Sequence, residues 1–230
     1  MSRSSGAVPN PAIPSSVSGA AFVPLTLHNL RLIATYSWLA VPVILAFMVV
    51  LANPAFMGPP QAALWGERFI SLTALLLFPP LALMDAGGVG ETLLAKRYPH
   101  LRIFVMRWLL TAVYMAVLTI AFLGFLRLFG ATFELAALVG GVWMTALALG
   151  SIGMLASVLF GSLPAGFILA FAWYLMDWTT KGKFTGSFYL FSMAKGVWNS
   201  DKLWLLGVAL VSTAISAWLL PKSLGGEAYR

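Results

Sequence analysis

Residues 135–160 read LAALVGGVWMTALALGSIGMLASVLF, 26 positions without a single charged side chain. At 1.5 Å per residue such a helix is roughly 39 Å long, more than the ~30 Å hydrocarbon core of a bilayer, so it can span with tilt. Working outward, similar uncharged runs occur at 32–52 with a potential kink at Pro42, at 69–84 broken by Pro79 and Pro80, at 108–126, at 163–176 and at 203–220. The reading is an all-α polytopic membrane protein with six transmembrane helices. The run at 163–176 is short, and a re-entrant hairpin formed with the end of 135–160 is its alternative.

Composition agrees. The chain has 230 residues, 60% hydrophobic and 9% charged, with a mean hydropathy of +0.91. A soluble domain carries roughly 25% charge and about 45–50% apolar residues, so a soluble enzyme is excluded and no separate catalytic domain fits beside six spans. The absence of cysteine removes disulfides, thiolate metal sites and a cysteine nucleophile. A net charge of +7 in a membrane chain reflects cationic loops facing anionic lipid, so nucleic acid is not expected as a partner.

Residues 1–24 are rich in Ser, Gly, Ala and Pro and read as a disordered cytoplasmic tail, and Pro9, Pro11 and Pro14 interrupt any signal-peptide core. Leu25, Leu27, Leu30 and Leu32 then alternate with Thr26, His28, Asn29 and Arg31, the pattern of an interfacial helix feeding the first span. The transmembrane domain is expected over 25–221, with a cytoplasmic tail at 222–230. Orientation follows from the cations. Arg3, Arg31, Lys96, Arg97, Arg102, Arg107, Lys222 and Arg230 fall on one side; Arg68, Arg127, Lys181, Lys183, Lys195 and Lys202 fall on the other. The dense cluster from Lys96 to Arg107 places the first side, with both termini, in the cytoplasm. The lysines of 181–202 run against that rule; with Phe184, Phe188, Tyr189, Phe191 and Trp198 they point to outer interfacial helices.

Chemistry-bearing motifs are missing. Glu67, Asp85, Glu91, Glu134, Asp177, Asp201 and Glu227 all read as span-end or loop residues, which disfavours an ion-coupled carrier. Asp177 and Lys181, four apart, read as a solvated interfacial pair. His28 and His100 form no zinc motif, and there is no phosphate-binding G-x-x-x-x-G-K-[ST]. Gly150 and Gly153 read as a helix-packing surface. Thr111, Tyr114, Met115, Thr145 and Ser212 are the residues expected to line a substrate path. No metal ligand set or catalytic group is expected.

The most distinctive segment joins the second and third spans: Gly90-Glu91-Thr92-Leu93-Leu94-Ala95-Lys96-Arg97-Tyr98-Pro99-His100-Leu101-Arg102. Leu93, Leu94 and Arg97 share a helical face, and Pro99 ends that helix. Its spacing resembles the cytoplasmic loop in the membrane subunits of type 2 ABC exporters, in which a glycine precedes a leucine-rich helix, a proline follows nine residues on and an arginine three after that. Gly90, Pro99 and Arg102 fall on those marks. Arg107 comes earlier than the family's usual basic residue, and Lys96-Arg97 is more cationic than usual.

The resemblance implies that Glu91 to Leu101 form a coupling helix, with Glu91, Leu93, Leu94, Lys96, Arg97, Tyr98, Pro99, His100 and Arg102 meeting an ABC ATPase subunit. It also implies a second permease, identical or related, ATP and Mg bound by the partner ATPase, and a place in the cytoplasmic membrane. The chain would be a permease without enzymatic activity, exporting an amphipathic or hydrophobic substrate such as a lipid, antibiotic or peptide. A non-catalytic membrane scaffold and a membrane-embedded enzyme are the alternatives.

Overall fold

A computed structural model describes residues 36–54, 57–84, 100–195 and 198–227. Among them the chain is helical and without strands: α1 (Tyr36–Ala52), α2 (Pro59–Leu77), α3 (His100–Leu128), α4 (Leu135–Phe160), α5 (Leu163–Thr180) and α6 (Asp201–Glu227), with 3-10 turns at Pro79–Ala82, Gly186–Phe188 and Ser192–Lys195. Four stretches, Pro59–Ala82, Leu101–Leu128, Leu135–Phe160 and Asp201–Leu220, are long and apolar enough to cross a membrane. The tail, the interfacial helix and most of the 90–102 loop lie outside the described residues.

Helix α4 has the bounds its uncharged run predicts and occupies the centre, packing on α2, α3, α5 and α6. Small residues let its neighbours close in. A Cβ at Gly150 would lie 2.5 Å from Phe78 Cδ2, one at Gly153 would lie 3.1 Å from Pro79 Cγ, and one at Gly166 of α5 would meet the Gly153 carbonyl and Ser157. The packing reading of Gly150 and Gly153 therefore holds, and dispersion between close backbones is what holds helices together where lipid is as apolar as leucine.

Other boundaries move. Helix α2 starts ten residues before the predicted 69, because Pro59 and Pro60 occupy its first turn, where a missing N–H costs nothing. Its α-helical part stops at Leu77, and Pro79 and Pro80 turn the chain into a 3-10 turn. Helix α3 begins at His100, so Leu101, Arg102 and Arg107 belong to a long helix rather than to the loop. Helix α6 continues to Glu227, making 222–227 helical. Trp38 and Trp108 are buried against other helices.

Pro42 has a compensated consequence. Without an N–H it cannot bond the Trp38 carbonyl one turn back in α1, and a bare carbonyl in a bilayer costs free energy. The Tyr114 hydroxyl of α3 donates to that carbonyl at 2.6 Å, with its ring stacked on Trp38 at 4.0 Å. Tyr114→Phe is therefore expected to destabilise the chain by about 1 kcal/mol. In a Pro42→Ala background, where the helix supplies its own donor, the same change is expected to cost measurably less. Thermal unfolding of the four chains in detergent checks the cycle; additive losses would refute the compensation.

Candidate functional site: a buried charged cluster under the 181–200 segment

Helix α2 carries a buried stripe, Glu67, Ile70, Ser71 and Ala74, spaced at three and four residues. Helix α6 carries another: Lys202, Leu205, Ala209, Ser212 and Ser216. Each stripe contains a charged residue, and the two charges meet. Lys202 Nζ lies 2.5 Å from Glu67 Oε1, with both side chains fully buried. The ammonium also donates to Thr145 Oγ1 on α4 and to the Leu190 carbonyl, each at 2.6 Å, so its three protons have three acceptors.

The carboxylates complete the arrangement. Glu67 Oε1 accepts the Met193 N–H at 3.2 Å, while Glu67 Oε2 is buried without a partner. Asp177, fully buried on α5, accepts the Thr185 hydroxyl at 2.6 Å and the Leu190 N–H at 2.8 Å. Thr145, besides accepting from Lys202, faces the carbonyls of Gly141 and Leu190. Side chains from α2, α4, α5 and α6 thus converge on the main chain of one short segment. That segment is buried at Leu190, Phe191 and Met193. Aromatic rings close around it, Tyr174 standing edge-on to Phe191 at 5.3 Å and Tyr189 to Phe191 at 5.8 Å. Burial, followed by the carboxylates of Glu67 and Asp177, pushes the Tyr189 phenol above its ordinary pKa.

Several expectations change here. Glu67 sits inside α2, not at a span end, and Lys202 lies within α6 as its counter-ion rather than in the outer loop. Asp177 is not a solvated partner of Lys181; the two are linked through Lys181 N–H to the Asp177 carbonyl, at the left-handed turn that ends α5. Arg68 places its guanidinium 4.7 Å above the Trp178 ring. The described residues of 181–200 form short 3-10 turns at Gly186–Phe188 and Ser192–Lys195 and an inserted loop, without a longer interfacial helix among them.

The expected path residues lie on three helices, Thr111, Tyr114 and Met115 on α3, Thr145 on α4 and Ser212 on α6. Thr111 is buried and bonds back to the Arg107 carbonyl, the Tyr114 hydroxyl is engaged with Trp38, and Met115 is core. Ser212 is buried on α6, and Thr145 alone joins the charged cluster. Of the predicted partner-binding residues, Glu91, Leu93, Leu94, Lys96, Arg97, Tyr98 and Pro99 lie outside the described residues, His100 opens α3, and Arg102 is exposed on its first turn. No group of three or more His, Asp or Glu suited to a metal occurs among the described residues. Glu67 and Lys202 were findable from sequence only by extending the 3.6-residue buried stripes beyond the uncharged runs. No family model, curated protein or solved structure matches the chain.

Proposed function

We propose that this chain is the membrane-spanning permease subunit of an ATP-driven exporter of the type 2 ABC class, with six spans and both termini in the cytoplasm. The observation that carries the reading is the 90–102 segment: glycine, leucine-rich stretch, proline and arginine at the family's spacing, joining two helices apolar enough to span. Helix α3 supports it. Its 29 residues make roughly 44 Å of helix, longer than the ~30 Å core, which leaves length for its first turns, with exposed Arg102, to reach beyond the hydrocarbon in this reading.

In this reading the segment is a stiff lever between the spans and a partner ATPase, which supplies ATP and Mg. Two permeases and two ATPases make the working unit in the cytoplasmic membrane. The mostly apolar helices fit an amphipathic or hydrophobic cargo. Affinity purification of the full chain, with mass spectrometry of bound proteins and small molecules, tests the proposal; recovery without any ATP-binding subunit would count against it.

The orientation rests on the dense cationic cluster from Lys96 to Arg107, which puts the 181–202 segment on the outer side. Phe184, 80% exposed in the 181–200 segment, is the better reporter of that side. In intact cells a membrane-impermeant thiol reagent is expected to label Phe184→Cys and to spare Lys96→Cys; the reverse pattern would invert the topology.

A further inference from the structure

We infer that residues 185–193 form a withdrawable plug in the end of the helix bundle, and that Glu67, Asp177 and Lys202 are the clamp that holds it seated. The segment lies in the bundle by main-chain contacts to ionisable side chains. Lys202 holds the Leu190 carbonyl, Asp177 the Leu190 N–H and the Thr185 hydroxyl, and Glu67 the Met193 N–H.

Two features make the seated and withdrawn states exchangeable. Departure of the segment leaves the Glu67–Lys202 pair and the Lys202–Thr145 bond in place, because both are made between helices that stay. No ion loses its counter-ion; Lys202, Asp177 and Glu67 exchange polar groups of the segment for water at the opened mouth. The seated state also buries polar atoms without partners, Glu67 Oε2, Ser192 Oγ and Tyr174 Oη, and water reaching them on withdrawal offsets part of the lost burial of Leu190, Phe191 and Met193.

The chain also provides a hinge. Lys181 and Gly182, just before the segment, have φ of 51° and 78°, a left-handed region in which glycine turns without strain. A Cβ at Gly182 would lie 2.7 Å from the Tyr189 ring, so the seated segment folds back tightly on its own hinge.

The test does not depend on the exporter reading, because it needs neither an ATPase nor a substrate. The chain contains no cysteine, so Phe191→Cys reports on the plug and Met115→Cys, also buried, on the core. In membrane vesicles a water-soluble maleimide is expected to label Phe191→Cys at least tenfold faster when Glu67→Gln and Lys202→Met are combined, with Met115→Cys still protected. Asp177→Asn, which leaves a single acceptor oxygen for two donors, is expected to act in the same direction and serves if the first variant does not fold. Crosslinking gives the converse readout. Met193 Cγ, which stands where a cysteine sulfur would, is 3.0 Å from a Cβ at Gly141, so Gly141→Cys with Met193→Cys is expected to form a disulfide readily, and at least tenfold more slowly once the clamp is neutralised. Equal labelling with and without the clamp, or labelling that rises equally at positions 191 and 115, would overturn the plug.

Discussion

Lys202→Met is expected to be the most destabilising single substitution in the chain, lowering stability by roughly 3–5 kcal/mol. The lysine is fully buried and supplies Glu67 with its counter-ion. Methionine fills most of its volume but leaves a carboxylate in a low-dielectric interior with only the Met193 N–H to face it. The effect belongs to the orphaned charge rather than to lost attraction, and that distinction can be measured. Adding Glu67→Gln removes the charge while keeping an oxygen for Met193, so the double variant is expected to recover more than half of the loss. Thermal unfolding in detergent of the parent, the two single variants and the double variant gives the coupling directly. Parental stability in Lys202→Met would mean that the pair is not buried in the membrane-embedded protein.

The second large effect is expected in the 90–102 segment. Replacing Leu94 and Tyr98 together by Asp leaves every apolar run intact, so insertion is expected to be normal. In the proposed complex these side chains enter a groove on the ATPase, where a buried unpaired carboxylate costs several kcal/mol, on the order of a hot spot. Capture of the ATPase is therefore expected to fall at least tenfold, since ~1.4 kcal/mol already corresponds to that factor. Substrate-stimulated ATP hydrolysis in reconstituted membranes should fall with it. Lys96→Ala and Arg97→Ala are expected to weaken assembly less, and in a salt-dependent way. Unchanged assembly and turnover in the double Asp variant would remove the coupling-helix assignment and, with it, most of the exporter proposal.

What the sequence determined by itself is the membrane class and the central helix. Twenty-six uncharged residues can satisfy their backbone in lipid only as a helix, and so 135–160 became α4 with the predicted ends. Helix packing through Gly150 and Gly153 was legible for a similarly local reason, because a missing side chain marks where another backbone can approach. Boundaries failed where charge was taken as the end of a helix. Glu67, Arg68, Arg102 and Arg107 all lie inside helices, since a charged side chain ends no backbone ladder when it finds a partner, a ring face or the headgroup region. Only the tertiary structure decided the site. Glu67 and Lys202 are far apart in the chain, and their pairing depends on α2 and α6 both packing on α4. Whether an ionisable residue is an exposed anchor or half of a buried pair depends on which face its helix turns inward and on what stands opposite it, and neither is written in the residue's own neighbourhood.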